Sequence, residues 1–325
     1  MALQLPSSFA DTLRSKFSSS RESGALVFTE STVKNVVDGD ILFEIRVAPS
    51  LSKKSTLRTD SDTKNSQSAS KQKFNPFLNP DPELLLAELG QDYKLVLNKF
   101  SIVPYHFLCI TSQFKPQNAP LSEEDLAAAW ACLQAPVPDD TKGKQWLAFY
   151  NCGEQSGASQ AHRHVQFIPV DSSAKLLPDV ALTYGVSESQ DAIGQFPTFD
   201  PTVPFTHFVL PVPPSPTPDD LIMRFSSLLA RTLTALREHS SLTSQISGIS
   251  FNFAMTKQWM YMAPRSRETY AHDDLELSVN ATGMVGMLLA KSESELDIFE
   301  KVGVLEILKT VGVEKVKQDE KHHDY

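Results

Sequence analysis

The stretch QAHRHVQFIP, residues 160–169, sets His162, His164 and Gln166 at alternating positions ahead of an apolar run that stops at Pro169. Side chains alternate faces along a β-strand, so these three share one face while Ala161, Arg163, Val165 and Phe167 share the other. One face is polar and suited to chemistry. The other is mostly structural.

Directly upstream, NCGEQSGASQ (residues 151–160) is a loop of small residues. Gly157 permits unusual backbone angles there, and exposed N–H groups with the Ser159 hydroxyl can cradle phosphate oxygens. It is not a Walker-type loop, because no lysine follows in the GK[ST] pattern. Alternate residues of a strand lie roughly 6.5 to 7 Å apart, close enough for two imidazoles to share a ligand or for one to orient chemistry at the next. With a reference pKa of about 6.5, a neutral imidazole is abundant at neutral pH and can attack phosphorus without a base. The phosphorus–nitrogen bond so formed is labile enough to pass the group on, which suits a two-step transfer. Two other readings stay open. Paired histidines can bind a metal, although no nearby carboxylate or cysteine pair completes a recognisable site, so none is assigned. They can also be packing residues with satisfied hydrogen bonds. His106, His207, His239 and His272 stand alone and read as structural or exposed, and the adjacent His322 and His323 carry little functional weight.

Composition bounds the rest. A chain of 325 residues holds one large domain or two of ordinary size, and two are expected. Hydrophobic residues make up 41% and charged residues 21%, an ordinary globular balance, and no apolar run approaches the roughly 20 residues needed to cross a bilayer. No membrane association is expected. The N-terminus lacks the charged segment and apolar core of a secretory signal, so the expected compartment is the cytoplasm, with the nucleus as an alternative. Cys109, Cys132 and Cys152 are odd in number and lack CxxC spacing, and read as reduced, with core packing the role for Cys109 and Cys132. A formal charge of −9 opposes broad nucleic-acid binding. An anionic ligand would need a local basic pocket.

The segment SLSKKSTLRTDSDTKNSQSASKQK, residues 50–73, offers such charge, with six basic residues against Asp60 and Asp62. Serine-rich and without aromatics, it reads as a mobile loop, either a solvated linker or a flap over a polyanion. Before it, GALVFTEST and DGDILFEIRVAP read as strands with turn chemistry at Asp38-Gly39. After it come a short helix at DPELLLAEL, strands at YKLVLNKF and YHFLCIT, and a helix at LSEEDLAAAWACLQ, capped by Ser122 with Asp125 and buried along Leu126, Trp130 and Leu133. WLAFYNCG leads into the loop and the histidine strand. This order does not alternate as a doubly wound sheet does, so an antiparallel α+β domain fits. Between Tyr184 and Pro218 the chain turns proline-rich, which marks a boundary and divides it into residues 1–200 and 201–325. Thr217-Pro218-Asp219-Asp220 starts a helix expected to reach about Glu238, with Leu221, Phe225, Leu228, Leu229 and Leu236 on its buried face. FNFAMT and WMYMAPRS suggest a hairpin, LELSVNATGMVGMLLAK a strand interrupted at Gly283 and Gly286, FEKVGVLEILKTVGV a helix, and KQDEKHHDY a solvated tail. No fixed-period repeat is visible.

The run NCGEQSGASQAHRHVQ resembles the signature of the histidine-triad superfamily's transferase branch, at Asn151, Gly153, Gly157, Ser159, His162, His164 and Gln166. It is more similar still to the fungal-type diadenosine tetraphosphate phosphorylases, also called ATP adenylyltransferases. The resemblance extends through NPF from Asn75, NKF from Asn98, MTKQWM from Met255, PRS from Pro264 and NATGMVGMLLAK from Asn280 to Lys291, so it covers nearly the whole chain. It implies a histidine-triad-like antiparallel sheet with flanking helices and a family-specific C-terminal α+β portion. It makes His164 the nucleophile that takes AMP from an α-phosphate, His162 the residue that orients it or the phosphate, and Gln166 a hydrogen-bond partner of the transferred group. Lys54, Asn98, Lys99, Asn151, Gly157, Ala158, Ser159, Gln160, Asn280, Ala281, Thr282, Met287 and Lys291 line the nucleotide and polyphosphate site by the same matching.

Gln166 bears on the reaction. Histidine-triad hydrolases usually carry a third histidine there, whereas an amide cannot act as an acid near neutral pH. Departing ATP is already a stable anion and needs little protonation, so transfer to phosphate is expected over hydrolysis. The partners implied are diadenosine tetraphosphate, ATP, ADP and phosphate, in a monomer or weak oligomer. Magnesium or manganese carried by the polyphosphate is the expected helper, with no organic cofactor. The rivals are a hexose-1-phosphate uridylyltransferase, whose related motif is HPHxQ where Arg163 stands here, and a nucleotide-binding regulator that lacks turnover.

Overall fold

The computed structural model describes residues 3–51, 75–184, 197–243 and 248–315. Along them run helix α1 (Phe9–Ser23), the hairpin β1 (Thr32–Asp38) and β2 (Ile41–Val47), and strands β3 (Leu85–Leu89), β4 (Tyr93–Leu97) and β5 (Phe107–Thr111). Helix α2 (Glu123–Gln134), strands β6 (Lys144–Cys152) and β7 (His164–Asp171), helix α3 (Leu177–Tyr184), strand β8 (Phe208–Pro211) and the long helix α4 (Pro218–Thr243) follow. The chain continues through the hairpins β9 (Phe251–Met255) and β10 (Trp259–Pro264), then β11 (Thr269–His272) and β12 (Leu275–Ser278). A single helical turn α5 (Ala281–Met284), strand β13 (Met287–Ala290) and helices α6 (Glu293–Val302) and α7 (Val304–Val311) complete it.

Eight strands make one antiparallel sheet in the order β3-β4-β5-β7-β6-β9-β10-β8. The fold is thus α+β. Strands from both sides of residue 200 share this sheet, and β7 lies near its middle. A second sheet, β1-β2-β13, joins the hairpin at Asp38-Gly39 to β13 in parallel.

Alternation along the central strands separates the apolar residues into two layers. Phe107, Cys109, Val165, Phe167, Trp146 and Tyr150 point into a core covered by α1, α2 and α4. Leu147, Phe149, Ile168 and Val170 point the other way, into a core closed by β2, α3, α6 and α7. On that second face, towards the β3 edge, Val96, Leu108 and Ile110 form a separate small cluster with Phe77 and Leu85. The polar side chains of β7 lie in the interval between these two clusters.

Local chemistry explains several boundaries. Ser122 caps α2 through a reciprocal box with Asp125, and Leu126 and Leu133 are buried beneath it with Trp130 half-buried. Thr217 and Asp220 bond reciprocally at the start of α4, which buries Leu221, Phe225, Leu228 and Leu236, packs Leu229 beside them, and runs to Thr243 rather than Glu238.

Other segments depart from local expectation. DPELLLAEL is not a helix: its second half is β3, which turns at Gly90 (φ 64°) and pairs with β4 across a bulge. Over so short an apolar run the helix and strand patterns are hard to tell apart, and a partner strand one turn away decides the outcome. GALVFTEST is not a strand of either sheet. Val27 and Thr29 donate their N–H groups to the carbonyls of Lys99 and Ser101, and pairing begins only at Thr32. LELSVNATGMVGMLLAK is three elements, β12, α5 and β13, in place of one interrupted strand, and FEKVGVLEILKTVGV is broken into two helices at Gly303 (φ 91°). Most of the basic segment 50–73, from residue 52 on, lies outside the described residues, as does the tail from residue 316.

Candidate active site

The entry of β7 is fixed from both sides. Arg163 points into the structural layer, where its guanidinium pairs with Asp125 at 2.6 Å and both are buried. Asp125 also accepts from the Tyr93 hydroxyl at 2.8 Å. On the opposite face His162 is buried, its Nε2 lying 2.8 Å from the Thr111 carbonyl, which can only accept. Nε2 therefore carries the proton, and Nδ1 accepts from the Asn75 amide at 3.0 Å. Burial lowers the His162 pKa, so the ring is neutral at pH 7 with both nitrogens engaged by protein groups.

His164 is held differently. Its backbone N–H donates to Gln117 Oε1 at 2.8 Å, and its Nδ1 lies 2.8 Å from the His162 carbonyl. That contact requires Nδ1–H, which leaves a lone pair on Nε2. Burial pushes its pKa down to about 4, so at pH 7 the lone pair is available. His162 thus orients His164 through its backbone oxygen, while its own ring is committed elsewhere.

Gln166, two residues further along the same face, is partly buried. Its Oε1 lies 3.0 Å from His106 Nε2, and Asn98 Nδ2 lies 3.1 Å from His106 Nδ1. Asn98 Oδ1 accepts from the Phe100 N–H at 3.0 Å, which turns the Asn98 amide nitrogen towards the ring. His106 accordingly accepts from Asn98 and donates to Gln166. The Gln166 NH₂ is then directed away from His106. Burial lowers the His106 pKa to about 4 and keeps this relay neutral.

The loop before β7 meets the C-terminal portion. Gly157 takes φ 79°, and a Cβ there would come within 2.9 Å of the Val279 carbonyl, so glycine is required on two grounds. Asn280 caps α5 by accepting from the Thr282 N–H at 3.0 Å and the Thr282 hydroxyl at 2.7 Å. Asn151 Oδ1 accepts from the Ala281 N–H and from Asn252 Nδ2, each at 2.9 Å. Asn252 in turn accepts from the fully buried Arg265, which also donates to the Val279 carbonyl at 2.7 Å. A cavity of about 100 Å³ opens beside this junction, lined by Gly157, Asn280, Gly283, Met287, Leu289 and Lys291 among others. Gln117 links it to the imidazoles, because its Nε2 donates to the Asn151 carbonyl at 2.9 Å while its Oε1 accepts from His164.

The residues expected from the sequence fall into three groups. His162, His164 and Gln166 share one face with Asn98 one relay away. Gly157, Asn280, Met287 and Lys291 line the cavity, and Asn151 accepts from the N–H of Ala281, the neighbour of Asn280 in the chain. Ala158 and Gln160 are half-exposed on the loop, Ser159 is exposed, and Thr282 is bonded to Asn280. Lys99 is exposed, and its carbonyl accepts from the Val27 N–H. Lys54 lies outside the described residues. Among those described, no group of three or more His, Cys, Asp or Glu side chains converges as metal ligands do. Sequence reasoning missed Gln117, Asn252 and Thr111 altogether, and noted Asn75 and Arg265 only within the NPF and PRS motifs. It read His106 as structural or exposed; the structure buries it in contact with Gln166.

An antiparallel α+β fold that presents a neutral imidazole beside a glycine-containing loop defines a histidine-triad-like protein of the nucleotide-handling kind. Residues 2–182 match the Ap4A phosphorylase N-terminal domain, and residues 201–314 match the ATP adenylyltransferase C-terminal domain. The chain belongs to the Ap4A phosphorylase family. It is 35% identical over 296 residues to the diadenosine tetraphosphate phosphorylase 2 of Saccharomyces cerevisiae, covering 88% of each chain. Crystal structures of a yeast Ap4A phosphorylase are similar throughout. The complex with AMP gives a TM-score of 0.77 at 30% identity over 96% of this chain and 98% of the other. The complex with Ap4A gives 0.76 at 31% identity over 94% and 97%.

Proposed function

We propose that the protein is a diadenosine tetraphosphate phosphorylase, which converts diadenosine tetraphosphate and phosphate into ADP and ATP through an AMP group carried on His164. The observation that carries this reading is the uncommitted Nε2 of His164, the one imidazole nitrogen of the trio His106, His162 and His164 without a protein partner in the network above. The yeast relative bears that activity in its name, and the solved yeast complexes hold AMP and Ap4A, which supports the same substrate class here.

Nε2 attacks the α-phosphorus, a nitrogen–phosphorus bond forms, and the bridging phosphorus–oxygen bond breaks with its electron pair leaving on ATP. The ring becomes cationic as it takes up AMP, and its Nδ1–H remains bonded to the His162 carbonyl. Phosphate then attacks the same phosphorus, the nitrogen–phosphorus bond breaks, ADP forms, and the ring returns to neutrality. No step needs an acid, because ATP leaves as a stable anion. Gln166, turned by His106, donates its NH₂ to the phosphoryl oxygens, and the backbone N–H groups of the loop from Gly157 to Gln160 meet the developing charge. Lys291, Lys99 and Lys54 are the cations assigned to the polyphosphate, and Asn280, Thr282 and Met287 complete the nucleotide and polyphosphate site.

The donors of this site are neutral amides and imidazoles, which fit a magnesium or manganese ion held by substrate oxygens better than a resident one. Such an ion would neutralise phosphate charge. Three buried free thiols, Cys109, Cys132 and Cys152, support placement in a reducing compartment such as the cytoplasm.

The test is to incubate purified protein with diadenosine tetraphosphate, with and without phosphate, and separate the nucleotides. ADP and ATP in equal amounts, dependent on phosphate, are expected. AMP and ATP regardless of phosphate would mean a hydrolase, and no turnover would remove the reading.

A further inference from the structure

The segment Asn75-Pro76-Phe77 crosses the polar face of β7, and the mechanism above assigns it no step. Its geometry is nonetheless specific. Phe77 is anchored on the small apolar cluster of Val96, Leu108 and Ile110. In the sheet register Ile110 stands opposite His164 and Leu108 opposite Gln166, so this platform continues the face that carries the imidazoles. The Phe77 ring centroid lies 5.2 Å from that of His164 and 5.8 Å from that of His162. One aromatic ring therefore packs against both imidazoles, edge to face on His162 and tilted on His164.

Asn75 is tied to the same ring. Its Oδ1 accepts from the Phe77 N–H at 3.0 Å, the short loop that asparagine makes with the backbone two residues on. This fixes which end of the amide faces His162, and the Nδ2 so presented lies 3.0 Å from His162 Nδ1. Since His162 Nε2 must donate to Thr111, the Asn75 donor matches the one tautomer that the Thr111 carbonyl allows. Ring and amide are thus placed by one three-residue turn.

We propose that Asn75 and Phe77 are positioning residues, a clamp in which Asn75 locks the His162 ring and Phe77 keeps water off His164. The proposal rests on the reading of His164 as the nucleophile. Locking the His162 ring holds its backbone carbonyl in place, and that carbonyl aims His164. Covering the rings disfavours an imidazolium, so the lone pair on Nε2 stays free at pH values where an exposed histidine would be partly protonated. The titratable groups facing His164 are His162, two residues ahead of it at the entry of β7, and His106 from the segment before β5. Both are neutral at pH 7, so solvent exclusion sets the protonation of His164.

The test uses the full chain with ¹³C- and ¹⁵N-labelled histidine and follows each imidazole by NMR during a pH titration, alongside phosphorolysis rates at pH 6 and pH 8. Phe77→Ala is expected to move His164 from a pKa near 4 towards the exposed value of about 6.5. The ratio of kcat at pH 8 to kcat at pH 6 should then rise about fourfold, the neutral fraction lost at pH 6. Phe77→Leu keeps the apolar anchor but withdraws the ring, and should shift His164 in the same direction by less. Asn75→Ala should blur the His162 tautomer signals and lower kcat about tenfold with little change in KM. Asn75→Asp should instead raise the His162 pKa, because a carboxylate beside Nδ1 favours the imidazolium. Unchanged His164 titration in both Phe77 variants, with an unchanged His162 tautomer in Asn75→Ala, would overturn the clamp. The NMR arms do not need turnover: an inactive wild-type protein with the expected shifts would sink the phosphorylase reading and leave the clamp standing.

Discussion

The two faces of β7 solve the same problem, polar groups inside a sheet, in opposite ways. On one face Arg163 and Asp125 are both charged and pair directly, with Tyr93, the Ser122 N–H and the carbonyls of Pro116 and Ala119 filling the remaining sites. On the other face His162, His164, Gln166, His106, Asn98 and Asn75 are all neutral at pH 7, and among the described residues no carboxylate hydrogen-bonds to them. The charged face is closed, with each partner satisfying the other. The neutral face leaves one ring nitrogen and one amide NH₂ over, and those are the groups a phosphoryl transfer needs. On the proposed mechanism, the charged face serves stability and the neutral face reactivity.

That separation can be broken experimentally. The largest effect is expected from His164→Ala, which should cut phosphorolysis per folded molecule at least about a thousandfold. Retained turnover would move the nucleophile elsewhere. Asp125→Ala should do the reverse: an unpaired buried guanidinium costs about 3–5 kcal/mol of unfolding free energy, while the activity per folded molecule should persist. A loss of kcat without a loss of stability would show that the two faces are coupled.

The pH dependence of stability sharpens the contrast. Burial holds the folded pKa of His106 and His164 to about 4 and that of His207 to about 3, below the unfolded value of about 6.5. Above that value neither state is protonated and stability is level. As pH falls from about 6.5 towards 4, the unfolded chain binds protons that the folded chain refuses, so stability is lost at up to about 1.4 kcal/mol per pH unit for each ring. Urea unfolding at pH 7.5, 6 and 5 should show this decline, and a flat midpoint would mean that these rings are solvated. The smallest effect is expected at His106, which acts only by turning Gln166. His106→Ala should lower kcat about tenfold with KM almost unchanged, and His106→Gln, which restores a donor, should recover part of it. Equal losses in both variants would reduce His106 to packing.

Much of the site was readable because its signals are local. The period of two in His162-x-His164-x-Gln166 places all three side chains on one face of an extended chain; β7 itself begins only at His164, and His162 is held ahead of it by an isolated bridge to Pro116. The Ser122 and Asp125 cap and the Gly157 turn are likewise decided within a few residues. Short apolar runs were less legible. DPELLLAEL has a helix-like spacing of leucines, but the Gly90 turn and the partner β4 make its second half a strand. The Asn280 region looked like one strand because nothing nearby reveals that β12 and β13 belong to different sheets.

The sequence by itself determined which residues could do the chemistry, because side-chain type and strand periodicity are properties of a few consecutive positions. Only the tertiary structure decided what each could still do once buried. Asn75, Thr111, Gln117 and His106 reach the strand from other parts of the chain, and their hydrogen bonds use up both nitrogens of His162, turn Gln166, and leave Nε2 of His164 free. Those contacts between distant segments depend on sheet register and loop path, which are set by packing across the whole fold.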